Sequence, residues 1–154
     1  MPDRPTPGSP QDWLARAKSD LTFVLLPLPV GAFYEDLCSW AEGQSDDLAW
    51  GTGRERGSFS FHYHQDGKPV SVFSVLTDGE LWLNLNSMAP KLPLEVLQEF
   101  HRALHEIPGF AHIPADFGEW PVVRVGRVFV NQPEALAAFK SAVVQLGKRI
   151  HPVG

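Results

Sequence analysis

A chain of 154 residues fits a single domain that buries roughly 68–70% of its unfolded surface, so a full core is available without help from disulfides or metals. The formal net charge of −5 is uneven, with eight acids and three bases in residues 1–50 and ten of each thereafter, which leaves out the basic surplus typical of nucleic-acid binders. Cys38 is the single cysteine and the longest apolar stretch, near residues 21–30, is broken by Pro27 and Pro29; these exclude a disulfide framework, a cysteine-built metal site and a membrane span. No signal-peptide pattern opens the chain, so a cytoplasmic protein is expected.

Residues 1–10 hold Pro2, Pro5, Pro7 and Pro10 and read as an extended tail ahead of a single domain over 11–154. Ser9 as N-cap, Pro10 at the first helical position and Asp12 in the first turn predict a helix. Its stripe is Trp13, Ala17, Leu21 and Val24, and Pro27 and Pro29 end it. A second helix is expected over 32–42 with Phe33, Leu37, Trp40 and Ala41 inward and Gly43 as C-cap, completing a helix pair over 11–43.

Residues 48–154 carry a sheet and two further helices. Their centre is Trp50 to Asn86, where a glycine-rich loop opens three β-type segments separated by Asp66-Gly67 and Asp78-Gly79. Both pairs tolerate the positive φ of two-residue hairpin turns, which predicts an antiparallel meander. In the first strand Phe59, Phe61 and Tyr63 alternate with Ser58, Ser60, His62 and His64, giving one apolar and one polar face. Pro69 cannot donate to a ladder, so the second strand is expected from Val70 to Leu76. In the third, Leu81, Leu83 and Leu85 oppose Glu80, Trp82, Asn84 and Asn86.

A third helix carries Leu94, Leu97, Phe100, Leu104 and Ile107 before Pro108-Gly109. Residues 108–121 form a long loop with Phe110, Phe117 and Trp120; loops of that length tend to be functional or self-packed. A fourth strand is expected over 122–130. Asn131, Pro133 and Glu134 cap the last helix, whose inward face is Leu136, Phe139, Val143, Leu146 and Ile150, with Lys148 and Arg149 suiting its negative end. The predicted class is α+β, in the order ααβββαβα, with a four-stranded mostly antiparallel sheet and helices packed on one face.

Trp13-Leu14, Arg16-Ala17-Lys18-Ser19-Asp20-Leu21, Leu26-Pro27-Leu28-Pro29, Gly31, Tyr34-Glu35-Asp36-Leu37-Cys38 and Ala41 resemble the opening of a bacterial HEPN domain. Such domains are four-helix bundles that bind or cut RNA, often through an Arg-x4-6-His motif. The resemblance ends after Ala41, where Gly43 and strands replace the long helices; Arg56 and His62 have the spacing but fall on a loop and a strand. From Trp50, the Trp-Gly-Thr-Gly opening with Gly57-Ser58-Phe59 is similar to a group of uncharacterised bacterial domains. The element order also resembles restriction-endonuclease-like folds, which would place metal-holding carboxylates near Asp66 and Glu80. Trp82 stands where that family has lysine, which implies at most a degenerate nuclease that still binds nucleic acid.

Four candidate clusters follow. Ser60, His62, His64, Trp82, Asn84 and Asn86 share the polar sheet face. Two histidines at i and i+2 suit a metal or acid and base work, although their strand supplies no carboxylate to complete a metal set; the competing reading is a solvated sheet face. Gly51, Gly53 and Gly57 with Arg54 and Arg56 allow close approach of a phosphate, but the strand that follows denies them the helix N-terminus of a dinucleotide site. Arg54, Arg56, His62, Trp82 and Asn84 would together make an aromatic and basic platform of the sort single-stranded RNA uses. Trp120 adds an aromatic from the long loop. His101 and His105 are one helical turn apart without the metalloprotease glutamate. No metal or cofactor set is complete. The expected function is therefore a non-catalytic binding module of a bacterial cytosolic protein, its partner a protein or single-stranded nucleic acid and not a membrane. The alternatives are a nucleic-acid-processing enzyme using His62 and His64, and an adaptor acting through the acidic N-terminal helices.

Overall fold

The computed structural model describes residues 28–51, 58–76, 79–110, 121–129 and 132–151. The expected tail, the first expected helix, Arg54, Arg56, Trp120 and most of the 108–121 loop lie outside the described residues. The elements are α1 (Leu28–Gln44), β1 (Asp47–Gly51), β2 (Ser58–Gln65), β3 (Lys68–Leu76), β4 (Glu80–Leu83), α2 (Leu85–Met88), α3 (Leu94–His105), β5 (Val122–Arg124), α4 (Val125–Val128) and α5 (Pro133–Ile150). The class is α+β. One sheet of five strands runs β1-β2-β3-β4-β5, each strand antiparallel to its chain neighbour.

The alternation of β2 sets the layers. Phe59, Phe61 and Tyr63 are buried while Ser60, His62 and His64 stay half-exposed on the opposite face. Phe61 stacks on Trp40 of α1 and on Phe73 of β3, and Phe73 meets Phe139 of α5 edge-on. Thus α1 and α5 cover the apolar face. Burying each such ring contributes roughly 1.5–3 kcal/mol. Tyr63 ties the layers together: its hydroxyl donates to the Val143 carbonyl of α5 at 2.9 Å and accepts from Gln44 Nε2 of α1 at 3.1 Å. The ring comes that close because Gly147 has no side chain; a Cβ there would stand 2.6 Å from Tyr63 Cζ.

The turn between β2 and β3 has the expected chemistry, with Asp66 at φ 54° and Gly67 at φ 78°. Several boundaries differ from expectation. The sheet has a fifth strand, β1, because residues 47–51 pair with His62 to Ser58; five residues without clear alternation give little signal of their own. Strand β3 includes Lys68 and Pro69. Lys68 and Gln65 close the hairpin, so the next residue turns its nitrogen away from β2, and β4 pairs only with Phe73 to Val75. Pro69 therefore interrupts no ladder. Strand β4 stops at Leu83. Ser87 and Met88 N–H groups bond the Asn84 carbonyl, starting the turn of α2 in which Leu85 and Met88 are both buried. Leu85 would point inward in either conformation, so alternation cannot show where the strand ends.

The expected strand over 122–130 is also cut short. Val125 and Val128, three apart, are buried as one helical turn. Helix α1 begins at Leu28, with Pro29 in its first turn, where a missing N–H is tolerated; Gly43 is inside that helix rather than capping it. Helix α5 starts after Gln132 without a side-chain cap bond, and Asn131 lies outside the described residues. Leu94 is 61% exposed at the start of α3, whereas Val96, Leu97, Phe100 and Leu104 are buried. Among the described residues, no helix is long and apolar enough to cross a membrane.

Candidate functional site

The face opposite the helices is built in two rows. Register places Ala49, Ser60, Ser74, Trp82 and Val122 side by side across all five strands. The second row aligns Asp47, His62 and Ser71, with Asn84 beyond. The rows meet because the pairing of β2 and β3 shifts between Phe61 and His62. That bulge makes Val72 the extra residue of β3 and brings Ser71 and Ser74 to the same face although they are three apart.

Short polar side chains fill the centre. Ser60 Oγ and Ser74 Oγ lie 2.7 Å apart, and Asn84 Nδ2 donates to Ser71 Oγ at 2.8 Å and to Ser74 Oγ at 3.0 Å. At the β4–β5 end, Trp82 Nε1 donates to Glu80 Oε1 at 3.0 Å, and Arg124 stands 3.9 Å from Glu80 Oε2. At the β1–β2 end, Asp47 Oδ1 lies 2.7 Å from His64 Nε2 and 3.3 Å from His62 Nδ1. The latter nitrogen is buried and, despite its nearness to the carboxylate, lacks hydrogen-bond geometry. His62 is 16% exposed at its side chain, against 40% for His64.

Asp46 braces this end from outside. Its Oδ2 accepts from the His64 backbone N–H at 2.6 Å and lies 2.7 Å from His151 Nε2. Partial desolvation works to raise the Asp46 carboxyl, but the His64 N–H and His151 outweigh it and hold the group below the usual carboxylate range. Cys38 is buried in the core, where desolvation, with Glu42 adding to it, pushes its thiol up to about 11.

The structure thus brings together Ser60, His62, His64, Trp82 and Asn84 of the expected set. Asn86 is removed from the face by the turn of α2 and is exposed. Arg54, Arg56 and Trp120 fall outside the described residues. Asp47, Ser71, Ser74 and Arg124 join the face unforeseen; Asp47 depends on β1, and the serines depend on the bulge. His101 and His105 lie on α3 with ring centroids 4.7 Å apart. Among the described residues, no group of three or more His, Cys, Asp or Glu side chains could hold a metal ion. The chain matches no family model, no curated protein and no solved structure.

Proposed function

We propose that the chain is a non-catalytic binding module of the bacterial cytosol that presents this sheet face to its ligand. The observation that carries the reading is the Ser60, Ser74, Asn84 and Ser71 network. These side chains are fixed by one another on a rigid sheet and flanked by Trp82, so a ligand meets a surface whose ordering cost is already met. The carboxylate that the nuclease resemblance would place at a metal does not support turnover as well. Glu80 is engaged by Trp82 and stands near Arg124, and the buried Leu37, Cys38 and Ala41 of the HEPN-like stretch support the core. The described charges of the face are Asp47 and Glu80 against Arg124, with its histidines besides, which favours a protein partner over a bare phosphate backbone.

The test is fluorescence anisotropy of labelled single-stranded RNA and DNA at low and moderate salt, beside the same titration on Trp82→Ala and Asn84→Ala. Salt-sensitive binding weakened by both variants assigns the face to nucleic acid; no binding at low salt leaves the protein partner. One observation favours a second reading, an enzyme acting on nucleic acid: the Asp47 carboxylate is placed to orient the His64 ring for acid and base work. Turnover with a pH profile set by histidine, lost in His64→Gln, would establish it.

A further inference from the structure

We infer that Asp46 is a positioning residue: it clasps the end of α5 to the candidate face, so that the charge of the Asp46–His151 pair sets how firmly His64 is held. The ladder between β1 and β2 ends at the Asp47–His62 pair, which leaves the His64 N–H beyond its last rung. Asp46 supplies the acceptor from just outside β1. Its backbone N–H donates to the His62 carbonyl at 3.0 Å, and its Oδ2 accepts from the His64 N–H at 2.6 Å. The same oxygen lies 2.7 Å from His151 Nε2. That ring follows the last turn of α5, where the His151 N–H donates to the Gly147 carbonyl at 2.7 Å, and it meets Tyr63 edge-on at 6.2 Å. One carboxylate oxygen therefore ties the helix that covers the apolar side to the strand that carries His64.

Partial desolvation works to raise the Asp46 carboxyl, but the His64 N–H, the His151 hydrogen bond and the charges of both rings hold it below the usual carboxylate range. The clasp is therefore present above the unfolded carboxyl value and is lost as pH falls through the lower, folded one. Toward alkaline pH it loses only its charge, because an imidazole pairs as a cation while protonated and as a neutral donor afterwards. Around the pair, β2 contributes His62, His64 and the phenol of Tyr63, and β1 contributes Asp47, whose Oδ1 stands 2.7 Å from His64 Nε2. The preceding helix α1 ends in neutral Gln44, bonded to Tyr63. Lys148 and Arg149 share the last turn of α5, where Arg149 lies 3.2 Å from Glu99 and 3.9 Å from Glu95 of α3. The His151 and Asp46 side chains are 49% and 36% exposed, so salt screens the pair and its contribution to global stability is modest. Its effect on the one N–H it positions is direct.

This inference deepens the binding reading, on which it rests for the use of the face, but its test needs no ligand, so a failure to find one leaves the clasp standing. Full-chain Asp46→Asn, His151→Gln and the double variant form a cycle in urea at about pH 5.5 and about pH 8.5. The coupling should be roughly two- to fivefold in the unfolding equilibrium at the lower pH, and should shrink at the higher pH and at about 1 M salt. Amide exchange gives the positional reading. Asp46→Ala removes the acceptor and should speed exchange of the His64 N–H at least about tenfold more than it speeds that of Val143 in α5; His151→Gln should do the same by a smaller factor. Equal acceleration at His64 and Val143 would mark a mere loss of stability and overturn the assignment. So would a coupling of the same size at both pH values, or a His64 amide indifferent to Asp46→Ala.

Discussion

Tyr63 shows how a single side chain can set the position of two layers. Its phenol is buried and donates to Val143, so it acts as a neutral group. Burial raises its ionisation above the ordinary tyrosine value; the bond from Gln44 works against it, and the Asp46 charge adds a smaller push upward. A group whose folded pKa lies above its unfolded value contributes stability fully below the unfolded value and loses it as pH rises through the folded one. Urea midpoints measured from about pH 9 to 12 should therefore fall more steeply for the native chain than for Tyr63→Phe. The same residue makes Gly147 intolerant of a methyl group. Gly147→Ala should gain about 1 kcal/mol in helix propensity, yet lose about 1–3 kcal/mol to overlap with a ring held by two hydrogen bonds, and melt lower overall. In the Tyr63→Leu background the alanine should do less harm, a coupling that a double-mutant cycle measures.

At the level of elements, Gly67 provides the opposite case. Nothing lies within 4 Å of a Cβ built there, but φ is +78°, so Gly67→Ala should cost about 1 kcal/mol through backbone strain alone. Gly67→Asn should cost less, because asparagine enters the left-handed region more readily; denaturant midpoints of the two variants check the order. This turn and β2 were legible in the sequence because their signals are local: a turn pair, and strict period-two alternation that assigned His62 and His64 to one face. What was not legible depends on a partner strand. Asp47 reaches the face only because residues 47–51 pair with β2, and Ser71 and Ser74 share it only because of a register shift. Asn86 was misplaced for another reason. Leu85 is buried whether the chain continues as strand or turns as helix, so the apolar pattern carries no mark of the change.

Across the whole molecule, the two faces of the sheet divide the labour, one committed to packing by α1 and α5 and the other carrying the polar rows. The interior strands β2 and β3 have a ladder on each side, whereas β1 and β5 lie at the ends of the strand order. Native-state amide exchange should be slowest for Phe59 to Tyr63 and Val72 to Val75 and faster for the three residues of β5, since edges open with fewer bonds broken. A β5 that exchanges as slowly as β3 would contradict this placement.

The strand order, identical to the order in the chain, bears on how the protein is made. Strands β1 to β4 can each find a neighbour as soon as both have left the ribosome, with only a short loop to close, whereas β5 joins after residues 84–121 have emerged. The part of the apolar side that α5 covers stays open much longer: Tyr63 and its acceptor Val143 are 80 residues apart, and α5 emerges last of the described elements. During synthesis, the meander is therefore a paired but greasy platform, the kind of intermediate that aggregates or recruits chaperones until its covering helix arrives.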